Sequence, residues 1–480
     1  MIDPKWFVRK VGFGLRPEEE IPADPLAWAF EQTDVLPAAV GIENLTMSGT
    51  EIVPWPEEFQ WSLEERVARI IEYNKERDAL DRDLDRNSLE FKEAWRDLNR
   101  RLRSQPYDEL HRAHQCVYGS APVFERFAHF WQNHFTVGDA GESDWIGHYH
   151  QAAIKEKMFG SFSEFLYAAI SHPAMLLYLD NQTSVGPDSE HARWAKADGK
   201  VAGLNENLAR EVMELHTLSP SAGYSQADII GLAKVLTGWG YWPTSNDVKN
   251  VRSKDRWYLF FPHRHQPGRK KILGRSYGEG RGTLRQVLDD LAVHPSTARF
   301  VSTKLARSFI ADEPSVAAID AIESAWNSSD GHLPTIHKAV IQEVANAGPK
   351  AKLIPPEPWL YQICRISGAN LFPGFNNLEP EGSYERDPAE LLEEAGHWYW
   401  SVRQPNGFSN LSADWMSAEY MDRRIRLGRL VSLAGRPTAS PESVIAHCGL
   451  SKKVVRLIGR ASNIHDKYTL LFCSKEFMGV

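Results

Sequence analysis

The residues best equipped for chemistry crowd into Asn205 to Trp239, NENLAREVMELHTLSPSAGYSQADIIGLAKVLTGW. Glu206, Arg210, Glu211, Glu214 and His216 fall within eleven residues, with no proline or internal glycine between them. At 3.6 residues per turn, Asn207, Arg210, Glu211 and Glu214 share one face, and Leu208, Val212, Leu215 and Leu218 form an apolar stripe displaced from it. Carboxylates three apart on a helix project the same way, so Glu211 and Glu214 could hold a cation or act as an acid and base. The imidazoles such a site needs lie elsewhere: His134 closes FWQNHF beside Asn133, and His265 sits in the loop HRHQPG.

Three chemistries suit this set. In the first, His134, Glu211, Glu214 and His265 bind a divalent metal (Zn, Fe or Mn), since imidazole and carboxylate together suit those ions. Glu206, Arg210, Glu211, Glu214 and His216 then do the catalysis, and Asn133, Asn205, Asn207 and Trp239 meet a polar substrate, a small molecule, glycan or peptide. His216 stands roughly 200° around an ideal helix from Glu214, so both reach one ion only if the helix ends near Leu215. Neither HExxH nor the Glu-x-x-His of di-iron bundles is present. In the second, no metal is needed: Glu206 with Glu211, or Glu211 with Glu214, is the carboxylate pair of a hydrolase or lyase, and His263 and His265 carry protons. In the third there is no site. Arg210 pairs with Glu206 or Glu214 at four-residue spacing, and His216 donates to a carbonyl at the helix end.

The elements that must position these residues are mostly α. Residues 1–60 are rich in proline and acid and read as a wrapping arm. Residues 61–255 form a helical core that begins with a long charged helix or helical hairpin from Trp61 to Arg103. Phe124, Phe127, Phe130, Trp131 and Phe135 make a bulky apolar helix, in which His129 reads as a core residue, whereas His134 at the helix end can enter a cleft. His172-Pro173 breaks a later helix, and the polar stretch from Gln182 to Gly203 is expected to lie over the site as a mobile loop. Ser225 caps the next helix with Asp228 three residues on. A small β-hairpin insertion follows at 256–274, from Arg256–Phe261 and Lys271–Gly274. Residues 275–480 return to helix and pack into the same large multi-helix body.

Composition narrows the options. With 480 residues and 42% hydrophobic content the chain can bury a sizeable core. Lys plus Arg number 55 against 63 Asp plus Glu, a net charge of −8, so no basic field recommends nucleic acid. Cys116, Cys364, Cys448 and Cys473 have neither CxxC spacing nor disulfide-framework density. No run of 18 apolar residues predicts a membrane span, and the N-terminus lacks a signal-peptide pattern. The expected compartment is the cytoplasm, or the periplasm or exterior if a signal was removed. Sixteen tryptophans could fill a core or line a groove for sugars.

Several motifs resemble one family in its order: VGFG, FWQNHFTV, HPAMLLYLDN, NENLAREVMELHTL with YSQADIIGLAKVLTGW, KKILG, HPSTARFVSTKLARSF and a terminal SKEF. The chain is identified by these as a member of the bacterial family catalogued as domain of unknown function 1800. The resemblance implies a helical fold and, commonly, export beside a sulfatase-like companion, which raises a non-enzymatic reading: a helical partner or scaffold for that companion. The family's usual His-Asp pair stands here as His265-Gln266, and Gln266 cannot act as an acid. The enzyme reading makes one geometric demand, that Glu211 and Glu214 point inward at His134.

Overall fold

Helices in this chain start where a short polar side chain can take up a free backbone N–H. Ser62, Ser88, Ser161 and Ser225 each accept from the amide three residues on, and Ser62 and Ser225 add the reciprocal carboxylate of Glu65 and Asp228. His172 and His294 do the same work before Pro173 and Pro295, their side chains accepting from Ala174 and Ser296. The computed structural model describes residues 2–44, 51–138, 144–241, 259–378, 388–398, 400, 402 and 404–479.

The fold is mostly α, as the periodicity predicts. The charged stretch after Trp61 is a pair of helices, Leu63–Asp83 and Leu89–Leu102, packed on each other. One apolar core runs from Trp6 near the start to Met478 near the end, so N-terminal and C-terminal helices share it. The first residues are part of this core: in the Pro4–Val11 helix Trp6, Phe7, Val8 and Val11 are buried, and so is Phe13 beyond it. Its centre is the Pro122–His134 helix, whose Phe127 and Trp131 are fully covered. The Gln105–Tyr118 and Pro356–Ser367 helices, which carry polar residues used below, pack against each other.

The β structure is small and differs in pairing from the expected hairpin. Trp239–Gly240 pairs with Leu259–Phe260, and Lys270–Ile272 pairs with Arg275–Tyr277, both antiparallel. The two runs read as partners therefore pair with other segments. A tight turn at Leu273-Gly274, both with positive φ, closes the second ladder before a longer connection could form. Arg256 to Tyr258 lie outside the described residues. A third ladder pairs Val40–Ile42 with Ile52–Pro54. The polar stretch 182–203 holds a helix, Glu190–Ala197, and is tied down: Gly186 donates to the Arg264 carbonyl and Val185 to that of Gly203.

Candidate functional site

The charged helix of the opening motif is short. Asn207–Glu211 is α-helical, and Val212–His216 widens into a π-type turn in which the Thr217 hydroxyl donates to the Val212 carbonyl at 2.6 Å. The widening turns His216 into the core, away from the carboxylates. Arg210 lies 3.2 Å from Glu214 and 3.5 Å from Glu206, and Gln226 donates to Glu206 at 2.6 Å. These three charged side chains thus form the four-residue ladder of an ordinary helix surface. Glu211 is different. It is half-buried, makes no hydrogen bond or ion pair among the described residues, and its carboxyl is raised, by burial first and then by the Glu214 charge.

The histidines expected to face Glu211 and Glu214 are occupied elsewhere. His134 Nε2 meets the His216 carbonyl at 3.1 Å and His216 Nδ1 meets the His134 carbonyl at 3.0 Å, a reciprocal clamp between two helix ends. Both rings are buried, and burial pulls both well down, His216 to about 3, so both are neutral at pH 7. His265 donates from Nδ1 to the Thr237 carbonyl at 2.7 Å, while its Nε2 accepts from the Gly280 amide at 3.1 Å and lies 3.0 Å from Lys270 Nζ. With both nitrogens engaged, His265 is a structural post. Among the described residues no group of three or more His, Cys, Asp or Glu side chains is placed to hold a metal ion. The set His134, Glu211, Glu214 and His265 therefore does not fit a zinc, iron or manganese ion, and the inward convergence it required is not formed.

The expected substrate-binding residues also separate. Trp239 is buried at 1% exposure beneath Phe260, with Arg281 over its ring, so it presents no face to a ligand. Asn205 serves the backbone: its Oδ1 accepts from the Asn207 amide and its Nδ2 donates to the Asp180 carbonyl. Asn207 is exposed. Gln266, in place of the family's acid, keeps a structural role by exchanging hydrogen bonds with Asp188 through both ends of its amide. Asn133 alone faces a cavity, one that the charged helix does not line.

That cavity, small at about 20 Å³, is built from the inner faces of three helices. Pro122–His134 supplies His129, Gln132 and Asn133, Gln105–Tyr118 supplies Arg112, Pro356–Ser367 supplies Glu357, and His397 follows the Pro388–Glu394 helix. Glu357 is 3% exposed. Arg112 Nη2 is 2.7 Å from its Oε1, while His129 Nδ1 at 3.3 Å and His397 Nδ1 at 3.8 Å both approach Oε2. Burial alone would raise this carboxyl, but the Arg112 charge and the two imidazoles carry it well below the carboxylate range, so it stays ionised. Burial holds His397 down to about 3 and lowers His129 as well, with Glu357 pulling the other way. The chamber thus contains an ionised carboxylate, its guanidinium counter-ion and two neutral imidazoles. Of these His129 reaches furthest toward the opening, keeping 12% of its side-chain surface against 4% for the others.

The 404–414 segment walls the opening. Asn133 Nδ2 donates to the Phe408 carbonyl at 2.9 Å and its Oδ1 accepts from the Phe408 amide at 2.7 Å. The approach is close enough that a Cβ on Gly407, whose φ is +73°, would lie 2.5 Å from the Asn133 carbonyl. Phe408 in turn stacks on His397 with ring centroids 3.7 Å apart. Beyond it lies an open bowl with Trp398, Gln404, Asn406, Asn410 and Asp414 at its sides. Val402 lines both spaces, and its carbonyl accepts from the Tyr178 hydroxyl at 3.1 Å. Glu211 is near enough to Tyr178 to help raise its phenol to about 12, after burial, so the charged helix neighbours the chamber across this wall.

Sequence reasoning missed Glu357, His397 and Arg112 and assigned His129 to the core. A glutamate inside a proline cluster, Pro355-Pro356-Glu357-Pro358, beside Trp359, Leu360 and Tyr361 was the available signal, because a charge set among large apolar residues calls for a partner when buried. The motifs that carry the site, FWQNHF and the segments around it, extend along the whole chain, and one family's sequence pattern matches residues 7–476. The chain belongs to the family described as protein of unknown function (DUF1800). No curated protein and no solved structure matches this DUF1800 chain. No described helix is long and apolar enough to cross a membrane.

Proposed function

We propose that this DUF1800 protein is an enzyme that performs general acid–base chemistry on a polar substrate of the sugar or peptide class, in the chamber of Arg112, His129, Glu357 and His397. The observation that carries the proposal is the buried Glu357 carboxylate, whose Oε2 is approached by His129 at 3.3 Å and His397 at 3.8 Å in a cavity that shares Val402 and Phe408 with an open bowl. His129 Nδ1 lies 3.3 Å from Glu357 Oε2 and 3.2 Å from Arg112 Nη2, so the neutral ring accepts from the guanidinium and the protonated ring faces the carboxylate. Arg112 keeps the carboxylate charged when the imidazole takes a proton, so the imidazolium is stabilised where it forms. The bowl suits a hydroxylated substrate, because the side chains of Gln404, Asn406 and Asn410 bring amide donors and acceptors to it.

A second reading rests on Glu211. Its raised, unpartnered carboxyl beside Glu214 is the arrangement of a general acid next to a like charge, and would make these two the carboxylate pair of a hydrolase or lyase. The test of the main reading is a substrate panel of oligosaccharides and short peptides with wild type and Glu357→Gln. Binding, read by tryptophan fluorescence, should persist in the variant while turnover falls by about a hundredfold or more. Equal turnover in both proteins overturns the reading and leaves the Glu211 pair, whereas no turnover of any member of the panel by wild type leaves a scaffolding role.

A further inference from the structure

On the other side of the contact between the Pro122–His134 and Pro356–Ser367 helices lies a second, small cavity of about 20 Å³, whose chemistry is separate from that of the Glu357 chamber. Four cationic side chains converge on it: Arg9, Lys10, Arg126 and Lys352, each between 5% and 8% exposed. They come from three parts of the chain. Gly12 lets the first helix end against Pro122, where a Cβ would sit 3.2 Å from the Pro122 carbonyl carbon, and this brings Lys10 beside Arg126. The 352–354 strip supplies Lys352 and is pinned to the C-terminus, where Lys352 and Ile354 donate to the carbonyls of Gly479 and Met478.

Their partners are too few. Lys352 pairs with Asp312 at 2.5 Å and also donates to the Asn410 carbonyl. Arg9 donates to the carbonyls of Lys5, Cys448 and Glu476. Lys10 Nζ reaches one weak acceptor, the Lys350 carbonyl at 3.4 Å. Arg126 makes no hydrogen bond or ion pair among the described residues, and its guanidinium rests over the Phe309 ring at 5.2 Å. Glu357 lies within its electrostatic reach but is held by Arg112. With no acceptor among the described residues, the Arg126 N–H groups are left to whatever enters the cavity, and the three further cations beside it favour an anion there. Burial and crowding show in their titration: Lys10 is brought down to about 7 by burial and by Lys352 and Arg126, and Arg126 to about 10 by burial. Phe13, Phe309, Ile354 and Pro358 form apolar walls, so charges inside are poorly screened and an entering anion would be held strongly.

We propose that this cavity is a binding site for a multiply charged oxyanion, a phosphate or the phosphoryl group of a small phosphomonoester, held by Arg126, Lys10 and Lys352. The planar fork of Arg126 suits two oxygens of one phosphoryl group, and the two ammonium groups suit the remaining charge. The site gives a role to two motifs that the acid–base chamber leaves unused, VGFG through Gly12 and Phe13, and the end of HPSTARFVSTKLARSF through Ser308 and Phe309.

The test is calorimetric titration of the full chain with inorganic phosphate and with glycerol 3-phosphate at constant ionic strength, beside Arg126→Met and Lys10→Met. Saturable binding of one equivalent of either probe is expected, weakened about tenfold or more in each variant, because each loses a charge-assisted hydrogen bond. Tighter binding of the ester identifies an organic phosphate as the ligand, and equal binding identifies the free anion. Without ligand, Arg126→Met should melt no lower than wild type, since it removes a like charge from the cavity. Should Arg126→Met fail to fold, Lys10→Met decides alone. Absence of saturable binding of both probes to wild type at millimolar concentration overturns the proposal, as does unchanged affinity in the folded variants.

Discussion

Acidification from pH 7 to pH 5 should remove a large part of this protein's stability, because its core is built on neutral histidines. His114, His216, His337 and His397 are at most 3% exposed, and burial pulls each down to about 3. Specific bonds fix the neutral form. Trp131 Nε1 donates to His337 Nε2 at 2.8 Å, so a proton on that nitrogen destroys the bond. In the unfolded chain the same imidazoles titrate near 6.5. Between that value and the lowered folded value the unfolded state binds a proton that the folded state does not. Stability is therefore lost as pH falls through the window, at about 1.4 kcal/mol per unit for each histidine. At pH 5 each of the four costs about 2 kcal/mol and together about 8 kcal/mol, against a typical total of about 5–15 kcal/mol. Urea unfolding at constant ionic strength from pH 7.5 to pH 5 measures this directly. The midpoint should fall steadily below about pH 6.5, and His337→Gln, which keeps an acceptor but cannot titrate, should flatten the slope by one proton. A midpoint that is constant or rises toward pH 5 refutes the assignment of these histidines as neutral core residues.

Other consequences are local. Arg66 holds Asp108 through two bonds of 2.6 and 2.7 Å and also donates to the Asp144 carbonyl, all buried. Arg66→Met leaves the buried Asp108 carboxyl without its partner and should cost about 3–5 kcal/mol, read by thermal or urea unfolding. Asn133→Ala removes both bonds to Phe408 and should cost about 1–3 kcal/mol. Its signature is faster hydrogen exchange across residues 404–414 while the Pro122–His134 helix stays protected.

What was legible in the sequence follows from range. Helix starts depend on contacts within four residues, so the Ser225–Asp228 cap and the break at His172-Pro173 could be read directly. The charged face of 207–214 was equally local, and its Arg210 ladder is the ordinary outcome of that spacing. The failure at His216 has a physical cause: a π-type turn adds an extra residue to the helix, which no apolar periodicity announces, and rotates the imidazole into the core. His129 and Glu357 are 228 positions apart in the chain by their numbering, and nothing short of tertiary packing brings them together. His129 looked like a core residue because it is nearly one. A ring with 12% of its side chain exposed beside a buried carboxylate has the same aromatic neighbours in sequence as one with none.

The chamber and the charged helix are rival places for the chemistry, and one comparison separates them. Turnover of the oligosaccharide and peptide panel should be measured side by side for wild type, His129→Gln and Glu211→Gln. The chamber predicts a loss of about a hundredfold or more in His129→Gln, with Glu211→Gln within a few-fold of wild type. Full activity in His129→Gln together with loss in Glu211→Gln would contradict it.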